Sequence, residues 1–334
     1  MRERTIGASG VSKYRLELVD DDEAWDRVVA SSPQGTIFAQ SSYLRLAVDN
    51  YRCYWVLKGN QIKAGLSIVL NTAEDACVFD DLVIHNGLMF VDESTQKVTK
   101  RYSERFQITE FVINWLVGKY RKVELSLSPQ FEDPRPFIWH NYHSEDPKNQ
   151  FVVDLRFTSY LEISSLAVAE NEESTTLFRG LEILRQRNIR EARRDGATYE
   201  IESNPEMFLE YYAELMRNQS QNQETEKLHR MGRLINGLIR LGQAIMVLSR
   251  NGEGKPIYST IFCWDSKRAY YLFGAPNPNS TNRYKGTISF WDGFHELARK
   301  GISTIDMEGV NSPDRGWFKL SFGGDLRCYY EIRI

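Results

Sequence analysis

The chain has 334 residues, of which 42% are hydrophobic and 26% charged, and its formal net charge is −3. That balance is globular and large enough for two ordinary domains or one large one with a sizeable core. It excludes a general DNA or RNA binder, which would be basic overall, and no apolar run approaches the ~20 residues of a membrane-spanning helix.

In chain order, a strand is expected at Tyr14–Val19 and a helix at Asp22–Ala30, with acidic residues in its first turn favouring the helix dipole. Phe38-Ala39-Gln40-Ser41 leads into a short helix near Tyr43–Val48. Strands follow at Arg52–Lys58, Gln61–Leu70 and Ala76–His85. Asn86-Gly87 predicts a type I′ hairpin between Leu82–His85 and Leu88–Val91. A helix at Ser103–Lys119, a strand at Lys122–Ser128 and an irregular Pro-rich segment through Pro147 complete the first half.

The second half opens with a strand at Phe151–Leu155 and a polar loop at Glu170–Thr175. A long helix, Thr176–Arg194, stops at Asp195-Gly196. Helices at Pro205–Asn218 and Glu226–Leu241 precede an antiparallel meander of Gln243–Arg250, Pro256–Trp264 and Ala269–Phe273. A helix at Ile288–Lys300 ends at Gly301, which suits a left-handed C-terminal position. A strand at Ile302–Met307, a short helix near Trp317–Phe322 and a strand at Leu326–Ile334 close the chain. Arg121–Pro129 echoes Lys300–Glu308, so the α+β halves, 12–150 and 151–334, read as a structural duplication. Two unrelated α+β halves are the alternative.

Cys53, Cys77, Cys263 and Cys328 are scattered and form no C-x-x-C pair, which argues for reduced thiols in a cytoplasmic protein and against a zinc site. His140 and His143 lie near Glu145 and Asp146 without a third ligand at a familiar spacing, so no metal is expected. The segment Met1–Ser12 has no apolar h-region and is not read as a signal peptide. Membrane contact, if any, is peripheral.

Arg283-Tyr284-Lys285-Gly286-Thr287 lies between a strand and a helix. A helix start offers free N–H groups and partial positive charge to a phosphate. Gly286 allows close approach, Thr287 is the expected N-cap, and Arg283 and Lys285 add cations. The segment resembles the Q/R-x-x-G-x-G/A signature with which GNAT acyltransferases hold the pyrophosphate of coenzyme A, although Ile288 stands where that signature has Gly or Ala.

A denser set of motifs follows. Asp306-Met307-Glu308-Gly309, then Gly316-Trp317-Phe318-Lys319 and Phe322-Gly323-Gly324, resembles the ending of the Fem-like (FemAB) branch of the GNAT superfamily. Arg187-Asn188-Ile189-Arg190 through Gly196, Gly254-Lys255-Pro256 and Phe38-Ala39-Gln40-Ser41 resemble further motifs of that branch. The resemblance implies two tandem GNAT-like domains, each a mixed, mostly antiparallel sheet with flanking helices, in a form without a coiled-coil arm. By the same resemblance the first domain, 12–150, lies on the acceptor side. The second, 151–334, holds the acyl donor and the catalytic groups, and an active cleft separates them.

The resemblance puts Lys319, beside Phe318, in the active cleft, as the positive charge for an oxyanion or a phosphate. On a strand, Asp306 and Glu308 share one face and could hold and partly deprotonate an ammonium acceptor. A salt-bridged pair at a strand edge is the alternative. Arg187, Arg190 and Arg194 share a helix face suited to an acceptor phosphate, to coenzyme A or to an RNA stem, or form a solvated face paired with Glu182 and Glu191. Arg45 is a further candidate for an acceptor phosphate. No Cys or Ser-His pair suggests an acyl-enzyme. The expected activity is N-acyl transfer by direct attack, from acyl-CoA, acetyl-CoA first, to an amino sugar or peptide of a cell-envelope precursor. The alternatives are an aminoacyl-tRNA-dependent peptidoglycan-bridge transferase and a non-catalytic binding protein that retains the fold.

Overall fold

A computed structural model describes residues 6–7, 10–91, 95–218 and 225–334, with side chains from residue 12 onward. The chain divides into two compact units, Met1–Arg156 with Cys328–Ile334, and Phe157–Arg327. The division therefore falls after Arg156 rather than after residue 150, and the last residues of the chain return to the first unit. The reason is local: β8 (Val152–Glu162) and β14 (Asp325–Arg333) are long strands, and each runs from one unit into the other.

In the first unit, β1 (Ile6–Gly7) and β2 (Gly10–Val11) form a two-residue antiparallel pair. β3 (Tyr14–Leu18), β4 (Tyr51–Lys58), β5 (Gln61–Val69) and β6 (Gly87–Phe90) form a sheet in that order. Between β3 and β4 lie α1 (Asp22–Ser31) and α2 (Ser41–Ala47). Asp21 caps α1 by accepting from the Ala24 N–H, and Asp22 and Glu23 complement its first turn. α3 (Val98–Lys119) buries Ile108, Val112 and Leu116 in a core with Tyr54, Leu66 and Leu88. β7 (Glu124–Ser126) pairs antiparallel with the end of β14, whose Ile332 joins that core.

Three expectations fail in this unit. Ala76–His85 is not a strand; only the isolated bridges Leu70↔Cys77 and Asp80↔Val83 occur there. Asn86-Gly87 is not a type I′ turn, because only Gly87 has positive φ, at 98°. Asn86 is instead tied to Ser126, its N–H donating to the Ser126 carbonyl and its Oδ1 accepting from the Ser126 N–H. The Pro-rich segment contains a short helix, α4 (Arg135–Trp139), with Pro136 in its first turn, where a missing N–H costs nothing.

In the second unit, β8, β13 (Thr304–Asp306), β12 (Ala269–Pro276), β11 (Pro256–Trp264), β10 (Ala244–Arg250) and β9 (Thr198–Glu202) form a sheet in that order. The predicted meander is β10–β11–β12, and β9 is an edge strand that the sequence reading missed. α9 (Lys285–Arg299) packs Ile288, Phe290, Trp291 and Phe294 against Phe262, Leu161 and Ile305. α7 (Glu206–Asn218) and α8 (Thr225–Arg240) follow β9.

The single helix expected over Thr176–Arg194 is two, α5 (Thr176–Gly180) and α6 (Ile183–Asp195). Leu181 adopts extended dihedrals and is buried, and the next N–H, of Glu182, donates to the Ser321 carbonyl. Tertiary packing outweighs local helix propensity at this break. Glu172 fastens the region from the other side, accepting from Trp291 Nε1, Arg193 Nε and Arg193 Nη2, while Arg193 also donates to the buried Asp292. α6 ends where expected, with Gly196 left-handed at φ 77°.

Candidate active site

The groups that the sequence singles out at Asp306–Lys319 converge within the second unit. β13 ends at Asp306, earlier than predicted, so Glu308 is not on a strand. Glu308 is one of three non-glycine residues with positive φ among the described residues, at 57°. L-residues rarely adopt that conformation, and its cost has to be met by surrounding structure. Its N–H turns back to donate to Asp306 Oδ1 at 2.9 Å. The same oxygen accepts from the hydroxyl of Thr158 on β8.

Both carboxyl groups are buried. An oxygen of one lies within 4.8 Å of an oxygen of the other. Asp306 Oδ2 and both Glu308 oxygens have no hydrogen-bond partner among the described residues. Burial pushes the Asp306 carboxyl up to about 6, against the opposing effects of Thr158, the Glu308 N–H, Arg268 and Lys319. Burial, and then the neighbouring Asp306 charge, hold Glu308 well above the usual carboxylate range.

Lys319 enters from α10 (Pro313–Leu320). Its Nζ donates to the Glu308 and Gly309 carbonyls, at 3.2 Å each, and stands 4.9 Å from the ring centroid of Tyr271. Burial lowers its ammonium to about 8, while Glu308 and Asp306 pull the other way. Gly316 is what lets α10 lie this close: a Cβ there would meet the Val310 carbonyl oxygen at 2.7 Å. Gly324 is a second close approach, where a Cβ would stand 2.3 Å from Ser159 Oγ. Phe318 packs edge-on against Phe290 and Phe322, and Arg185 lies over its ring at 4.9 Å.

Beside these groups the pairing of β12 with β13 stops. β12 and β13 are parallel but share only the pairs Ala269↔Ile305 and Tyr270↔Asp306. Beyond Tyr270, β12 keeps a strand partner only on its β11 side. The β11–β12 register steps from Ile261↔Phe273 to Phe262↔Tyr271, so Leu272 is an extra, bulged residue in β12. On the β13 side the β12 backbone polar groups from Tyr271 onward are without a strand partner among the described residues, and such groups require partners when buried.

β12 leads through Arg283 to the start of α9. That helix begins at Lys285, not at Ile288, so Thr287 is an internal first-turn residue rather than the N-cap. Its hydroxyl is buried and accepts from Arg185 Nη1 at 2.6 Å and Asn188 Nδ2 at 3.1 Å. Tyr284 occupies the cap position and no side chain caps the helix; the Lys285 N–H donates to the Asn282 carbonyl, which leaves the Gly286 and Thr287 N–H groups for a ligand or water. Lys285 Nζ donates to the Ser280 carbonyl, and Arg283 is exposed. Gly286 lies against Tyr258 and Phe318, each 3.4 Å from where its Cβ would be.

The remaining candidates lie elsewhere. Arg187 and Arg190, with Arg193, Arg194, Glu173 and Glu191, line an open groove of about 580 Å³ on the outer side of α6. Arg190 pairs with Glu173 at 2.8 Å and covers the ring of Phe178. The α6 side chains that reach the start of α9 are Arg185 and Asn188, which the sequence reading passed over, although their three-residue spacing marks one helix face. Arg45 belongs to the first unit, where it pairs with Asp22. Thr158, Arg268 and Tyr271 carry no motif signal and become visible only when the strands are assembled.

No protein-family model matches the sequence, and no curated protein matches it. Solved structures do match. The chain is similar to the crystal structure of FemX over 95% of its own length and 96% of the other's, at 13% identity and a TM-score of 0.61. A tandem GNAT protein from the clavulanic acid biosynthesis pathway, solved without AcCoA, matches over 96% and 97% at 10% identity and a TM-score of 0.56. L-PGS from Bacillus licheniformis matches over 93% and 91% at 10% identity and a TM-score of 0.50. The fold is thus the α+β tandem GNAT arrangement of the Fem-like proteins, as the motifs imply.

Proposed function

We propose that the protein is a cytoplasmic N-acyltransferase that moves an acyl group from acyl-CoA to an amino group of a cell-envelope precursor, an amino sugar or a peptide. The observation that carries this reading is the convergence of Lys319, Asp306 and Glu308 beside the point where the parallel strands β12 and β13 stop pairing. The uncapped start of α9 supports it as an anion site for the pyrophosphate, with Arg283 and Lys285 nearby.

In this reading the pantetheine arm lies along the open edge of β12, and its amides bond the unpaired backbone. The acceptor ammonium loses a proton to the Asp306–Glu308 pair, in which the Asp306 carboxyl, raised by burial to about 6, suits a base working near neutrality. The amine nitrogen forms a bond to the thioester carbonyl carbon, the C–S bond breaks, and the leaving thiolate takes up the second proton that the nitrogen sheds as it becomes the amide. Lys319 uses two N–H groups on backbone carbonyls and has a third for the developing oxyanion.

A second reading is an aminoacyl-tRNA donor, favoured by the arginine-lined groove on α6 and by the likeness to FemX. Isothermal titration with acetyl-CoA and longer acyl-CoAs, repeated with Arg283→Ala and Gly286→Asp, tests the first. Saturable binding that both substitutions abolish supports it. Absence of binding to every acyl-CoA overturns it and turns the search to charged tRNA with peptidoglycan precursors. Undiminished biological function after Lys319→Met would instead indicate a binding protein that retains the fold.

A further inference from the structure

The first unit turns large hydrophobic side chains outward. Val98 and Tyr102, one turn apart on α3, and Ile138, Trp139 and Tyr142, on and just after α4, are between 44% and 63% exposed. The two helices form one surface, because the indole of Trp139 lies 5.4 Å from the ring of Phe106 on α3. Arg135 stands over both rings, at 5.7 and 5.4 Å, and chelates Asp133. Lys97, at the cap position of α3, and Lys100, in its first turn, are exposed, with Arg101 and Arg105 partly exposed beside them. Glu104, the one carboxylate between Lys97 and Arg105, is buried and is engaged by Lys58 and Lys63.

Glu132, Glu145 and Asp146 are exposed on the α4 side, so the face is aromatic with its exposed lysines, Lys97 and Lys100, gathered at the start of α3, in a chain whose net charge is −3. Isolated exposed hydrophobics are ordinary, but a contiguous patch that includes Trp and Tyr and is flanked by lysines is not. We propose that this face docks the protein on an anionic lipid bilayer. Trp139, Tyr102 and Tyr142 suit the headgroup layer, where a ring with a polar edge is stable. Val98 and Ile138 suit the acyl boundary beneath it, and Lys97 and Lys100 the lipid phosphates. The exposed lysine pair at the start of α3, beside the outward rings and branched aliphatics, selects this occupant. Branched aliphatics among the exposed rings favour lipid over RNA, which would take cations and stacking rings alone. The proposal does not rest on the acyl-transfer reading.

The test is co-flotation of the full chain with vesicles of phosphatidylglycerol and phosphatidylcholine in equal parts, and with phosphatidylcholine alone. Binding is expected to the anionic vesicles and to weaken in about 0.5 M salt. Lys97→Glu with Lys100→Glu should cut the partition coefficient at least tenfold, on the order expected for cations at an anionic surface. Ile138→Asp with Tyr142→Asp should also cut it, and melting curves check that each variant stays folded. If either pair melts early, Lys100→Glu and Tyr142→Asp alone serve in its place. The proposal is overturned if the anionic vesicles do not carry the protein, or if neither set of substitutions reduces flotation. Binding of a single-stranded RNA that the lysine pair abolishes, without vesicle binding, would assign the face to nucleic acid instead.

Discussion

The ammonium of Lys319 is hydrogen-bonded to the main-chain carbonyl of Glu308, the residue that stands left-handed at the end of β13 with its carboxylate buried and without a hydrogen-bond partner. A cation, a strained backbone and two carboxyl groups are therefore one mechanical unit. Disturbing any of them disturbs the others, and several consequences can be measured.

Replacing Lys319 by Met keeps the side chain's length and removes its charge and its two hydrogen bonds. If the proposed chemistry is correct, transfer from acyl-CoA falls by about 10²-fold or more, mainly in kcat, as for loss of an oxyanion donor. Lys319→Arg should not restore it, because a planar guanidinium cannot reproduce the compact ammonium between two carbonyls. Thiol release from acetyl-CoA in the presence of acceptor amines provides the measurement.

Glu308→Gln should stabilise the fold at pH 8 and do little at pH 5. The folded carboxyl titrates well above its unfolded value, so the buried charge penalises folding at high pH and the penalty is relieved as protonation proceeds on acidification. For Asp306, a rise from 3.8 to about 6 corresponds to about 3 kcal/mol; the Glu308 effect has the same sign, and the cost of a buried amide opposes it. Thermal melts of both proteins at the two pH values decide the matter. A lower melting temperature for the variant at pH 8 would mean that Glu308 is ionised and usefully paired with Lys319.

Gly316→Ala and Gly286→Ala should behave differently. At Gly316 the added carbon meets a backbone oxygen at 2.7 Å, so α10 must shift, at a cost of roughly 1–3 kcal/mol, and should carry Lys319 with it. At Gly286 the nearest atoms stand at 3.4 Å, an ordinary contact, and the unliganded fold should melt within about 1 kcal/mol of the parent. Equal losses of stability would contradict this placement of α10.

Thr287→Val should lower stability by about 1–3 kcal/mol, because Arg185 and Asn188 both lose their acceptor. Were Thr287 a simple helix cap at a solvated end, the loss would stay near 1 kcal/mol and Arg185→Ala would add to it. A double-substitution cycle between positions 185 and 287 distinguishes the two arrangements.

Glu172→Gln should cost about 2–3 kcal/mol at pH 7 and much less near pH 3. Despite the cost of burial, His295, Arg193 and Trp291 hold the folded carboxyl far below 4.5, so its stabilisation is present above the unfolded value and is lost on acidification. The difference in unfolding free energy between the two proteins, followed against pH, gives the sign directly.

Much of this protein was legible without coordinates wherever a signal is local. Hydrophobic periodicity located α1, α7, α8 and the β10–β12 meander, and glycine marked the end of α6, because those features depend on neighbours a few residues away. The density of motifs between Asp306 and Gly324 singled out residues that the structure brings together, Lys319 among them, because close-packed glycines and a lysine at fixed spacing survive as a linear pattern. Tertiary structure alone decided the rest. Leu181 leaves the helix because Glu182 bonds Ser321, and Asn86 abandons its turn because Ser126 offers both a donor and an acceptor. Thr287 is an acceptor for α6 rather than a cap, and Glu308 leaves the strand because its N–H folds back on Asp306. In each case the partner is remote in sequence or the favoured conformation is locally costly, and only the assembled sheet and its helices supply the compensating bond.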